Sequence, residues 1–169
     1  TGNLYTGGSL VTSGSSSLSV DTKVKDATKI LVKDEIKIEG NAGLWVDATG
    51  VSVNKGDGIW AGGISMTGGT LDTKDVNVYV QDDLAMEGTS PKVVLRGGSA
   101  EFVGYSGDDT SLINHERSSA ININESTNLT LDLSALREVY INGNSYICEN
   151  NNNWGAGLKA DGITMETAD

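Results

Sequence analysis

The chain has 169 residues, a formal net charge of −11 and 5% aromatic residues. Its length corresponds to one ordinary domain, but a hydrophobic content of 37% is thin for a core that one chain fills alone, so we expect help from other subunits. The acidic balance excludes nucleic-acid binding and attachment to anionic lipid, since both need a basic face. No apolar run approaches the roughly 20 residues that span a bilayer.

Internal repeats organise the first part of the chain. Residues 32–40 align without a gap to residues 80–88, and the period is therefore close to fifty residues. Looser copies relate residues 7–12 to 62–67, and residues 20–23 to 71–74. A period of this length indicates stacked units in which each unit buries its apolar side against the next.

A shorter element occurs three times, at residues 43–53, 58–66 and 157–165. Each copy has two apolar stretches separated by small residues, which predicts strand, turn, strand. In the first two copies Trp45 and Trp60 hold the same place, and the third copy has Lys159 there.

Period-2 alternation dominates the rest of the chain, as in residues 76–80 and 129–133. Residues 21–39 alone could form an amphipathic helix. Their aligned repeat copy contains residues 76–80, which alternate as a strand does, so we predict strand for residues 21–39 as well. Short strands separated by Gly, Asn, Asp and Ser predict an all-β fold, and we favour an elongated, intertwined homotrimer of triple β-spiral or β-helix type that pools three thin cores. A single-chain β-solenoid and an antiparallel β-sandwich are the alternatives.

Two segments resemble viral fibres. Residues 2–14 resemble the Gly-Asn-Leu and Gly-Gly-Ser-Leu repeats of bacteriophage tail fibres and tail spikes, and residues 42–59 are similar to a shaft repeat of the adenovirus fibre. The second resemblance implies a strand, a Gly-x-Gly-Leu turn and three chains wound into a triple β-spiral. The spacing departs from the shaft pattern after Met66.

Charge and composition change near residue 97. Residues 1–97 carry 9 cationic and 12 acidic side chains, whereas residues 98–169 carry 3 and 11 and break the fifty-residue period. We therefore divide the chain into a repetitive shaft-like region, 1–97, and a less regular acidic β region, 98–169. Recognition is expected on the irregular loops of 99–154, since such loops commonly carry binding contacts.

The three tryptophans are the best candidates for binding a receptor. If Leu44 and Val46 face the core, the indole of Trp45 points outward, and the same alternation turns Trp60 outward. Exposed indoles pack against sugar rings and also occur at subunit interfaces, so both roles stay open. Trp154, which follows four asparagines, is the third candidate.

Catalytic and metal-binding constellations are scarce, and we predict no enzyme, no metal site and no cofactor. His115 has no second histidine and no Gly-x-Ser-x-Gly turn to work with, and Cys148 is expected to be a buried small hydrophobe. Residues 107–110 lack the spacing of known calcium loops. Glycan-cleaving tail spikes resemble this class of protein and use two acidic residues to cleave a glycosidic bond, so the acidic pairs are candidates. Two of the pairs occupy equivalent repeat positions between strands, which predicts solvated turns. The pairs are Asp34/Glu35, Asp82/Asp83 and Asp108/Asp109.

The favoured hypothesis is a non-catalytic, structural and receptor-binding segment of a viral fibre, with a bacteriophage tail fibre or spike in first place. Such a segment lies in the virion, forms a homotrimer, and contacts other tail proteins and a host-surface glycan or protein. A bacterial cell-surface adhesin module is the first alternative, and an envelope-polysaccharide depolymerase is the second.

Overall fold

The computed structural model describes residues 4–21, 29–49, 58–104, 121–141 and 147–149. These residues form a 13-stranded sheet and contain no helix, which confirms the all-β prediction. Among them there is accordingly no helix able to cross a membrane. The strands are β1 (Leu4–Thr6), β2 (Leu10–Thr12), β3 (Ser17–Asp21), β4 (Lys29–Asp47), β5 (Gly58–Lys74), β6 (Val78–Val80), β7 (Leu84–Thr89), β8 (Lys92–Arg96), β9 (Ser99–Phe102), β10 (Ile121–Thr127), β11 (Thr130–Ala135), β12 (Glu138–Ile141) and β13 (Ile147–Glu149).

The strands stack in parallel on three faces, so the chain forms a β-solenoid. The first face consists of β1, the first third of β4 and of β5, β6, β9 and β12. The second face consists of β2, the middle of β4 and of β5, β7, β10 and β13. The third face consists of β3, the ends of β4 and β5, β8 and β11. Thus β4 and β5 each pass through all three faces.

The hydrophobic core runs along the axis between the three faces. Alternate residues of each strand point inward, as the period-2 pattern predicts. They stack on the equivalent residues of the next coil, where a coil is one turn of the solenoid. Buried members of the three inward columns are Ile30, Ile59, Val78 and Ala100 on the first face, Ile36, Ile64, Leu84 and Ile121 on the second, and Leu44, Leu71, Val93 and Leu131 on the third. One chain therefore encloses a continuous core, which corresponds to the solenoid alternative.

Glycines form the corner between the second and third faces. Gly40 and Gly68 have φ angles of 68° and 129°, a region that other residues rarely adopt. A Cβ on Gly68 would also stand 2.6 Å from the carbonyl oxygen of Gly40 in the preceding coil. Glycine is required here both for the turn and for the close approach of successive coils.

The fifty-residue repeat corresponds to two coils of the solenoid. Val32, Ala61 and Val80 stack in one column, so the aligned segments 32–40 and 80–88 lie two coils apart with β5 between them. The two looser repeats, 7–12 with 62–67 and 20–23 with 71–74, predict the wrong register. Leu10 shares a column with Ile64 rather than Ser65.

Parallel pairing continues across position 97, where the sequence suggests a boundary. The strand β9 pairs with β6 through Val78 and Ala100, and β11 pairs with β8 through Leu131 and Val93. Strands on both sides of the boundary therefore extend the same sheets.

Candidate functional site

A groove of about 370 Å³ lies on the outside of the first face. It runs along the solenoid axis across the coils that contain β1, β4, β5 and β6. One wall is a column of outward side chains that are stacked in register. Its members are Tyr5, Leu31, Trp60 and Tyr79.

The opposite wall is formed two residues further along each strand, where the chain approaches the corner. Lys33 and Gln81 stand on alternate coils, and glycines occupy the two coils between and beside them. A Cβ on Gly7 would meet no atom within 4 Å, whereas Gly62 packs closely against the backbone carbonyls of Lys33 and Asp34 in the preceding coil. The groove thus combines an aromatic wall with a polar wall, which is the usual composition of a ligand site.

Trp60 and Tyr79 form the central part of the aromatic wall. Their ring centroids are 4.3 Å apart and their planes are inclined by 28°, so the rings stack face to face across two coils. Partial burial, and to a lesser extent the carboxylate of Glu101, raise the pKa of the Tyr79 hydroxyl. The hydroxyl therefore remains a hydrogen-bond donor at neutral pH.

Trp45 is on a different face from Trp60. It belongs to the third face, where it is in register with Ser19 and Asp72, and Asp72 forms an ion pair with Arg96. The six-membered ring of Trp45 occupies the volume that a Cβ on Gly43 would need. The indole therefore lies along the outer surface of its own strand and does not reach the groove.

The outward orientation predicted for the two indoles is confirmed, since each is 37% exposed. The prediction that Trp45 and Trp60 occupy equivalent positions of a repeat is wrong. Gly43 and Leu44 pair with Thr70 and Leu71 on the third face, whereas Ile59 pairs with Ile30 on the first. The two similar strand-turn-strand sequences therefore begin on different faces of the solenoid.

Several other predicted residues fall outside the described part of the chain. These are Trp154, His115, Asp108 and Asp109, with the third copy of the short element. The backbone of Cys148 lies in β13 in register with Asn122, but its side chain is not among those described. The predictions for all of these residues stay predictions.

The groove also contains residues that the sequence did not single out, namely Tyr5, Leu31, Lys33 and Tyr79. The alternation in residues 76–80 places Tyr79 outward, so its exposure could have been inferred. Its proximity to Trp60 could not, because that depends on which strands share a face. The groove falls within residues 1–97, whereas the sequence placed recognition in 99–154.

The acidic pairs Asp34/Glu35 and Asp82/Asp83 meet at the corner between the first and second faces. They lie on either side of Gly62 and Gly63, with the amide of Asp82 donating to the carbonyl of Gly62 at 2.6 Å and the amide of Ile64 donating to the carbonyl of Asp83 at 2.9 Å. The Oδ1 atom of Asp82 is buried and has no hydrogen-bond partner among the described residues. Burial, Asp82 and Glu35 together raise the pKa of Asp83 to about 6.

This corner differs from the two solvated turns that the sequence predicts. The two acidic pairs do share a corner, as their equivalent repeat positions predict. However, packing against Gly62 and Gly63 partly buries the carboxyl groups of Asp82 and Asp83. No described His, Cys, Asp and Glu side chains form a group of three or more that could hold a metal ion. Neither Asp82 nor Asp83 is among the described residues that line the groove.

The raised pKa of Asp83 predicts that the protein is more stable at pH 5 than at pH 7. The folded state takes up a proton near pH 6, whereas the unfolded chain does so near 3.8, so unfolding becomes harder as the pH falls between these values. With solvent screening, we expect a gain of roughly 1 kcal/mol or less in the free energy of unfolding, measured by urea titration at both pH values.

The variant Asp83→Asn is the control, because it removes this titration. Its free energy of unfolding should change less between pH 7 and pH 5 than that of the unaltered chain. The carboxylates of Asp47 and Asp132 do not interfere in this window, since hydrogen bonds from Thr49 and Ser134 lower their pKa values. Equal pH dependence of the two proteins would contradict the assignment to Asp83.

Comparison with known proteins yields no match to a family model, to a curated protein or to a solved structure. The resemblance to viral fibres therefore stays a prediction.

Proposed function

We propose that this chain is a structural and receptor-binding segment of an extended attachment fibre of viral type, and that it binds a host-surface glycan without cleaving it. The single observation that supports the proposal most is the aromatic wall of the groove. A row of tyrosine, leucine and tryptophan side chains, partly exposed along the axis, suits the apolar faces and edges of sugar rings.

The non-catalytic part of the proposal rests on the separation of the groove from the acidic corner. Glycoside hydrolysis needs two carboxyl groups on either side of the bound sugar. Among the described residues, the groove lining has no carboxylate, while Asp82 and Asp83 belong to the corner beside it. The geometry therefore supports binding rather than turnover.

A bacterial cell-surface adhesin module is a second candidate, and the continuous core within one chain favours it. An adhesin of this kind would be a monomer of 17.6 kDa, whereas the fibre segment is proposed to be a homotrimer of three such chains. Light scattering coupled to size exclusion, at two concentrations, distinguishes the two. Both candidates use the same groove.

A glycan array probed with three proteins tests the binding function. The unaltered chain should bind a defined subset of glycans, and Trp60→Ala should weaken that binding by about 30-fold, which is about 2 kcal/mol. The matched control is Trp45→Ala, because Trp45 has the same exposed fraction of 37% and lies on another face. Equal loss in both variants, or no bound glycan at all, would contradict the proposal.

A further inference from the structure

On the aromatic wall, the shorter side chain of Leu31 leaves a recess between Tyr5 and Trp60. Tyr5, Leu31 and Trp60 are in register on three successive coils, and the coils are about 4.8 Å apart. The side chains of Tyr5 and Trp60 therefore leave the sheet about 9.6 Å apart, with the shorter Leu31 between them. We therefore expect space for one pyranose ring over Leu31, with an aromatic side chain on either side.

One cation stands at the edge of this recess. Lys33 follows Leu31 by two residues on the same coil, is exposed, and is the one charged residue among the described residues that line the groove. It forms no ion pair with any described residue, whereas Lys37 on the second face pairs with Glu35 at 3.0 Å. The ammonium group of Lys33 is therefore free to bind a ligand.

An isolated lysine is conspicuous here because the chain as a whole is strongly acidic. At a net charge of −11 the surface repels anions, and the neighbouring corner adds Asp34 and Glu35. A carboxylate can be accommodated only where a cation offsets this field. A charge-assisted hydrogen bond beside an aromatic wall is stronger than the bond that the same lysine makes with a neutral hydroxyl group.

We propose that the groove selects acidic glycans, with the ring of a uronic or other carboxylated sugar placed over Leu31 and its carboxylate bound by Lys33. This inference rests on the proposed glycan-binding function and deepens it by naming the class of sugar. Tyr5 and Trp60 flank the sugar ring along the axis, and the open space at Gly7 accommodates a neighbouring sugar.

The test uses an array that carries carboxylated glycans beside their neutral parent glycans. The unaltered chain should bind the carboxylated member of a pair about tenfold or more tightly than the neutral one. Lys33→Glu should reduce the binding of the carboxylated glycan by about 30-fold or more, and Lys37→Glu, which makes the same change in net charge on another face, should leave it within about threefold.

Each other outcome overturns the inference in a recognisable way. Equal binding of neutral and carboxylated glycans, unchanged by Lys33→Glu, overturns the charge selection while glycan binding stands. No bound glycan on the unaltered chain overturns both. A change in solution mass caused by Lys33→Glu but not by Lys37→Glu assigns the groove to contact with a second copy of the chain instead.

Discussion

The substitution Gly98→Ala is expected to lower the free energy of unfolding by about 3 kcal/mol or more, or to prevent folding. Gly98 is buried at the corner between the third and first faces, where the chain passes close to Val76 of the preceding coil. A Cβ there would overlap the carbonyl group of Val76 and stand 3.0 Å from the amide nitrogen of Asn77. Urea unfolding, or the loss of the circular dichroism of β-structure, measures the effect.

The backbone around Gly98 cannot move away, because hydrogen bonds hold it from three coils. The carbonyl of Asn77 accepts from the amide of Ile59 at 2.8 Å, and the carbonyl of Gly98 accepts from the amide of Arg137 at 2.8 Å. The side-chain oxygen of Asn77 accepts from the amide of Ser99 at 3.0 Å. Displacing any of these segments breaks bonds to its neighbours.

Gly7→Ala is the matched control for this prediction. A Cβ on Gly7 meets no atom within 4 Å, and its φ angle is not in the left-handed region. Its free energy of unfolding should stay within about 0.5 kcal/mol of the unaltered value. Similar losses for Gly7→Ala and Gly98→Ala would mean that the close approach of the coils at Gly98 is not what limits the substitution.

The second large effect is expected from filling the groove. Gly7→Leu places a branched side chain in the open space beside Tyr5 and Lys33, on a backbone that accepts it without contact. We expect the affinity for the bound glycan to fall by about 100-fold, while the free energy of unfolding changes by less than about 1 kcal/mol. Titration of the purified variant with the glycan that the array identifies measures the loss.

Gly8→Leu provides the control for the filled groove. Gly8 is the next residue, a Cβ on it would meet only the side chain of Asp34, at 3.9 Å, and it does not line the groove. Its affinity should therefore match that of the unaltered chain. A parallel loss in both variants would indicate a general disturbance of the first coil.

Much of the fold could be predicted from alternation alone. The period-2 pattern predicts strand at residues 36–38, 76–80 and 129–133, and the structure has strand at residues 36–38, 78–80 and 130–133. Alternation also predicts that Trp45 and Trp60 point outward, and both side chains are exposed. These predictions succeed because the side chains of a strand alternate between core and solvent whatever its neighbours are.

The coil length could not be predicted, because insertions between strands conceal it. On the second face, 20 residues separate Ile64 from its partner Leu84, but 37 separate Leu84 from its partner Ile121. The spacing of paired residues along the sequence is therefore irregular, although the strands still pair in parallel. The fifty-residue repeat in the sequence therefore spans two coils.

The groove could not be predicted for the same reason. Tyr5, Trp60 and Tyr79 are far apart in the sequence and come together only because Leu4, Ile30, Ile59 and Val78 share a column. The low hydrophobic content, from which we expect shared subunits, still fills a core within one chain because most apolar residues of the described strands lie in the inward columns.

Glycan binding by the groove on the first face is best tested through the equilibrium affinity of three proteins for one array-identified glycan under identical conditions. The proteins are the unaltered chain, Gly7→Leu and Gly8→Leu. We expect Gly7→Leu alone to lose binding, by about 100-fold, while all three proteins unfold at similar urea concentrations. Undiminished binding by a folded Gly7→Leu variant would contradict it, since a ligand in the groove and the new side chain cannot occupy the same space.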